Sequence, residues 1–238
     1  MRLLCTFVVK ELPVAYRMGI VSIIKESLCL SDADYYEELY CSGSRTKPFV
    51  FAPYLRNFRV KDDRLLLDEL QVTISSPDHQ FLLHLYNGLL RKKKFLYKKY
   101  EFLRKSINVF PETPINSPSI MCKTQSPLLI EDKEGSPLAP TSPDYEYHFN
   151  YIANMILAEC CGRGLLVPLK VEPVDMSKVV VKESNHEFEA RFGDKKYLFY
   201  TGFQGLFRLT GDPEDLRMLY RLGISKRRNQ GFGLFRIA

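Results

Sequence analysis

The stretch Gly223-Ile224-Ser225-Lys226-Arg227-Arg228-Asn229-Gln230-Gly231-Phe232-Gly233 sets the terms for the rest of the chain. Three glycines enclose three cations and two amides. Glycine adopts positive φ and admits close approach of another backbone. Successive N–H groups in such a turn make a concave anion site, and nearby cations add charge to it. Just upstream, Asp212 reads as an N-cap with Pro213 at the first helical position, and Leu216, Leu219 and Tyr220 carry the spacing of a buried stripe. Gly223 then falls where a helix-ending glycine belongs. The local reading is a helix stop, a loop and a closing strand at Leu234–Ile237, with a Lys-Arg-Arg-Asn-Gln insert suited to holding phosphates.

Outward from the tail, the chain alternates strand and helix patterns. Leu3–Val9 reads as a buried strand and Tyr16–Leu30 as a helix with Ile20, Val21, Ile23, Ile24 and Leu28 on its apolar face. Lys25 flanks that face, a position from which lysine usually reaches out to water. Ser31–Tyr40 is a second helix capped by Ser31 or Asp32, followed by a loop at 41–47 and a strand at Pro48–Leu55. Leu65–Ser75 reads as one further strand. Ser76-Pro77-Asp78 then turns into the helix His79–Arg91, with Leu82, Leu85, Tyr86, Leu89 and Leu90 on one stripe. Lys94–Val109 returns as one or two strands before the proline-rich linker Pro111–Pro118. Strand, helix, strand, strand, helix, strand is the ferredoxin-like plan.

The second half repeats that order loosely. Ile120–Ile130 is a strand candidate, and Tyr145–Cys161 is a helix with Phe149, Ile152, Ala153, Ile156, Leu157 and Cys160 at helical spacing. Val179–Lys182, Glu187–Phe192 and Lys196–Thr210 supply strands, the latter two joined through Gly193-Asp194. The fold class is therefore α+β, two tandem ferredoxin-like domains over residues 1–114 and 115–238.

Composition is that of a globular protein: 238 residues, 45% hydrophobic and 26% charged, with net charge +6. The six cysteines show no CxxC pair, so reduced thiols in the cytoplasm are the expectation. No apolar run approaches the roughly 20 residues of a membrane span, so no membrane partner is expected. Between Arg91 and Lys105 eight cations face the single acid Glu101. With the tail's cations they favour a polyanionic partner, because phosphate neutralisation supplies most non-specific affinity. A lysine run can instead be a solvated edge that discourages sheet pairing. The four histidines, His79, His84, His148 and His186, lack metal-ligand spacing, so neither metal nor other cofactor is expected.

Gly202-Phe203-Gln204-Gly205-Leu206-Phe207-Arg208-Leu209, the short helix and the Gly223–Gly233 loop together resemble the C-terminal signature of the RAMP superfamily. Within it they are similar to the CRISPR-associated endoribonucleases that cut repeat RNA, the sixth Cas family. Lys47-Pro48-Phe49-Val50-Phe51 and Thr124-Gln125-Ser126-Pro127-Leu128 extend the likeness over nearly the whole chain. Ser225 stands where the family usually has a second glycine.

The resemblance implies two ferredoxin-like domains, CRISPR repeat RNA as partner, other Cas proteins as associates, and metal-independent cleavage leaving a 2′,3′-cyclic phosphate and a 5′-hydroxyl. Exposed apolar faces would also permit a homodimer. The family's usual histidine after the second helix is absent; Tyr40 or Cys41 occupies its place. Tyrosine titrates at about 10 and cysteine at about 8.5, against about 6.5 for histidine. On this reading Tyr40, Cys41, Lys47 and Lys25 form the cutting site. Gly223, Lys226, Arg227, Arg228, Asn229, Gln230, Gly231 and Gly233, with Arg45, grip the RNA. A protein that binds repeat RNA without cutting it, and a ferredoxin-like enzyme acting on a small phosphate, are the alternatives.

Overall fold

The computed structural model describes residues 1–41, 46–184, 188, 190–191 and 197–238. In the first half, β1 (Arg2–Val8), β3 (Val50–Arg56), β6 (Glu69–Ser75), β7 (Lys94–Tyr97) and β8 (Tyr100–Phe110) form an antiparallel sheet in the order β3-β6-β1-β8-β7. Helices α1 (Arg17–Ser31) and α3 (His79–Arg91) cover one face, and α2 (Ala33–Tyr40) follows α1. Alternation places Leu3, Cys5 and Phe7 of β1 beneath the helices, with Val72 and Ile74 of β6 beside them. Gly88 lets α3 press onto α1: a Cβ there would stand 1.7 Å from the Ser27 carbonyl oxygen.

In the second half, β9 (Ser119–Thr124), β10 (Lys170–Glu183), β11 (Leu198–Thr210) and β12 (Phe235–Ile237) pair in the order β10-β11-β9-β12. Helices α4 (Tyr145–Cys161) and α5 (Pro213–Leu222) bury Phe149, Ile152, Leu157, Leu216 and Leu219 against Phe207 and Leu209. Apart from the added edge strand β7, the two sheets share one connectivity. In each, the first strand lies between the third and the fourth, and the second is at the edge. That is the ferredoxin-like arrangement, twice over.

The helices match their sequence signals closely. Asp32 caps α2 by accepting from the Tyr35 N–H at 2.9 Å, Asp78 caps α3 through Phe81, and Asp212 caps α5 through Glu214. On α3 the stripe turns slightly from expectation: Phe81 is buried and Leu90 is 50% exposed.

Several strand expectations are corrected. Leu65–Ser75 is two strands, because β5 (Arg64–Leu66) leaves the main sheet to pair with β2 (Glu11–Pro13) and β4 (Arg59–Lys61). Ile120–Ile130 is a strand only as far as Thr124; Leu128 makes an isolated bridge to Phe203. Val179–Lys182 is the end of the fourteen-residue β10. Of the expected strand Glu187–Phe192, the described residues Phe188, Ala190 and Arg191 are helical, and the Gly193-Asp194 turn lies outside the described residues. Among the described residues no helix is long and apolar enough to cross a membrane, and none of their His, Cys, Asp or Glu side chains cluster in threes.

Candidate functional site

The glycine-rich tail is a seam between the two halves. Gly223, Gly231 and Gly233 have φ of 72°, 88° and 86° and are buried. A Cβ on Gly223 would meet Val50 of β3 at 2.8 Å, and one on Gly231 would meet Phe51 at 2.8 Å. The 3-10 turn Arg228–Gln230 packs on β3 and α1. Several of the loop's backbone donors are spent internally: Gly223 donates to Leu219, Ile224 to Gly233, Lys226 to Leu129, Gln230 to Arg227, Gly231 to Arg228 and Gly233 to Pro127.

The glycines themselves therefore add no free N–H to the expected anion nest. Gly223 and Gly231 serve close approach of β3 and Gly233 that of Ile224 and Ser225 in the same loop, and the N–H groups of all three are already satisfied. Ser225 explains its own departure from glycine. Its hydroxyl accepts from the Leu129 N–H at 3.1 Å and donates to the Leu129 carbonyl at 3.2 Å, in a buried setting.

The cations of the loop divide in two. Lys226 is exposed and pairs with Glu131 at 3.0 Å. Arg227 lies 4.4 Å over the Tyr200 ring and donates to the Gln230 side chain at 3.3 Å. Asn229 and Gln230 are half-buried. Arg228, expected among the RNA contacts, is turned inward, 5% exposed, and donates to the Leu222 carbonyl at 2.8 Å, which holds the loop in shape. Its burial also lowers its pKa.

The proposed cutting residues come from α1, the end of α2 and the loop that follows. The Lys25 ammonium sits 4.7 Å from the Tyr40 ring centroid and the Lys47 ammonium 5.1 Å from it. Each cation is held by the ring's negative face. Tyr36 stacks on Tyr40 with centroids 5.3 Å apart. The Tyr40 hydroxyl is buried with no hydrogen-bond partner among the described residues, and that burial, followed by the neighbouring Tyr36, raises its pKa above the ordinary tyrosine value. Tyr40 is therefore a neutral phenol at neutral pH. Cys41 follows as the exposed C-cap of α2, outside this three-residue contact. Arg45 and His186 lie outside the described residues. The other histidines sit elsewhere: His79 opens α3, His84 stacks on Tyr35 at 4.6 Å, and His148 lies edge-on to Tyr147 near the start of α4.

Three features of this seam were not anticipated from the sequence. Arg2 reaches across from β1, lies 3.7 Å over the Tyr220 ring and donates to the carbonyls of Tyr220 at 2.7 Å and Phe235 at 2.8 Å. Arg17 of α1 pairs with Glu183 of β10. A cavity of about 460 Å³ runs between α4 and the glycine-rich loop. An arginine next to a buried strand, as Arg2 is, was the one available signal.

A family model described as CRISPR associated protein Cas6, C-terminal, matches residues 110–237, more than half of the chain. The chain belongs to the Cas6 family. No match was found among curated proteins. Among solved structures, one described as a Cas6-related gene from Pyrococcus furiosus is 17% identical, with a TM-score of 0.83 over 100% of this chain and 98% of that one. A RAMP protein described as binding different RNA substrates is 16% identical, with a TM-score of 0.80 over 100% and 99% of the two chains. A Cas6 product complex is 15% identical, with a TM-score of 0.65 over 100% and 99%. These likenesses show that the Cas6 chain shares their fold from end to end.

Proposed function

We propose that this Cas6-family chain binds CRISPR repeat RNA and cuts it without a metal, as two domains over residues 1–114 and 115–238. The observation that carries the cutting site is the placement of Lys25 and Lys47 against one ring, that of Tyr40. Two ammonium groups held this way can flank one phosphate and stabilise the charge of a pentacoordinate transition state.

In the reaction the ribose 2′-oxygen bonds to phosphorus and the bond from phosphorus to the 5′-oxygen breaks. The 2′-hydroxyl proton passes to solvent, and a lysine ammonium or water protonates the leaving oxygen. The products are a 2′,3′-cyclic phosphate and a 5′-hydroxyl. Tyr40 acts as a neutral group that fixes the two ammonium groups, since burial disfavours its phenolate. A proton acceptor poised near neutral pH is worth about 10²–10⁴ in rate, so a site built from lysine and phenol cuts slowly. Lys226, Arg227, Asn229 and Gln230 hold the backbone of the RNA.

The second reading, binding without cutting, is favoured by the same buried hydroxyl. End-labelled repeat RNA incubated with the protein in chelator separates the two. Cleavage at one position with a cyclic-phosphate end supports cutting. A salt-sensitive complex with intact RNA supports binding alone, and absence of any RNA affinity sinks both.

A further inference from the structure

The cavity beside the glycine-rich loop is a groove along the outer face of α4. At one end the Thr46 hydroxyl donates to the Glu159 carboxylate, one residue from Lys47. At the other end lies His148, eleven residues earlier on the helix, about 16 Å away at 1.5 Å per residue. Between them Tyr151 is 55% exposed and Met155 40% exposed, standing over Ile152 and Ile156. The facing wall is the Glu131–Lys226 ion pair. A volume of about 460 Å³ with one apolar wall and convergent polar groups is in the range of ligand sites.

We propose that this groove receives unpaired nucleotides adjoining the phosphate at Lys47, with a base stacked on Tyr151, and that it prefers adenine or cytosine to uracil. The inference rests on the RNA-cutting reading above and adds to it the part of the substrate that is read. Continuity with the RNA path proposed above identifies the occupant, because the groove is lined by Thr46, next in sequence to Lys47, and by Lys226 of the loop assigned to the RNA backbone.

The selectivity follows from the ion pair. The Lys226 side chain is 50% exposed, whereas that of Glu131 is only 10% exposed. A phosphate engaging Lys226 would leave Glu131 without its cation in a nearly buried place, where an unpaired charge is costly. An amino group on the neighbouring base, N6 of adenine or N4 of cytosine, restores a donor to that carboxylate. Uracil presents a carbonyl oxygen in the same position and faces the carboxylate with a second acceptor.

The test uses the full chain and fluorescein-labelled octamers of adenylate, cytidylate and uridylate in fluorescence anisotropy. The expected result is binding of the adenylate and cytidylate octamers at least 10-fold tighter than the uridylate octamer. Tyr151→Ala, at an exposed position, weakens the adenylate complex by roughly 5-fold to 100-fold, the effect of losing one stacked base. Glu131→Gln, whose amide both donates and accepts, removes the preference. Equal, salt-sensitive binding of all three octamers by the unaltered protein, or no effect of Tyr151→Ala, overturns the groove proposal and leaves the RNA reading standing. No binding of any octamer or of repeat RNA overturns both.

Discussion

Arg17, in the first turn of α1, meets Glu183, at the end of β10, at 3.4 Å across the seam between the two halves. Both are almost fully buried, and the guanidinium also lies 5.3 Å from the Phe232 ring in the glycine-rich loop. The pair is poorly supported, since Nε of Arg17 and Oε2 of Glu183 have no partner among the described residues. Burial pushes Glu183 up to about 7, and Arg17 opposes that rise without cancelling it.

The sign of the resulting pH dependence is fixed. The folded chain holds the proton on Glu183 more tightly than the unfolded chain, whose carboxyl keeps the ordinary value of 4.5. Stability from this group is complete below pH 4.5 and is lost as pH rises to about 7, by up to about 3 kcal/mol. Thermal melts from pH 4.5 to 7.5 should show Glu183→Gln with a flatter profile than the unaltered protein. Parallel profiles would show that the carboxyl is not protonated in the fold.

Ser225 makes a second, independent prediction. Removing its hydroxyl strands the buried Leu129 N–H, worth about 1–3 kcal/mol when unsatisfied, while the Leu129 carbonyl keeps the Lys226 N–H. Ser225→Ala should lower unfolding stability in urea by about 2 kcal/mol. Ser225→Gly should not recover it, although glycine is the residue the family usually has there. A neutral result for either would mean that the loop relaxes around Leu129.

The two kinds of tail cation should separate experimentally. Lys226→Ala removes an exposed charge and should reduce the salt dependence of RNA binding by about one phosphate contact, while the nearly buried Glu131 it leaves unpaired lowers the melting temperature. Arg228→Ala removes a buried donor to the Leu222 carbonyl and should lower stability while leaving the salt slope unchanged. Binding across a salt series, paired with melts of both variants, checks the assignment; a steep slope change on Arg228→Ala would return that side chain to the RNA surface.

How far the sequence carried depended on whether the deciding interactions were local. Tyr145–Cys161 was legible from its apolar period and Pro213–Leu222 from its period, its Asp212 cap and its terminal Gly223, all of them local signals. The β4–β5 hairpin was not, because its turn uses Asp62 and Asp63 at φ of 47° and 57° in place of glycine. The Leu65-Leu66-Leu67 run then concealed the end of β5. Most of β10 was missed because its long exposed edge carries no apolar run. The Lys25–Tyr40–Lys47 contact came through family resemblance, and the fold places the three together. Arg17–Glu183 joins residues 166 apart and left no trace in the sequence. The glycines of the tail were read correctly as backbone devices, but what comes close to Gly223 and Gly231 is β3, and to Gly233 the loop's own Ile224 and Ser225.

The most direct test of the account is a single-turnover measurement on repeat RNA in chelator, comparing the unaltered protein with Lys25→Ala and Lys47→Ala and recording cleavage rate and affinity together. Because the two ammonium groups are assigned to the transition-state phosphate, each substitution should slow cleavage by about 10²–10³, as loss of a charge-stabilising donor does, with affinity changed by no more than a few-fold. An unchanged rate in both variants, or losses of rate and affinity in equal measure, would contradict the placement of the cutting site at Tyr40.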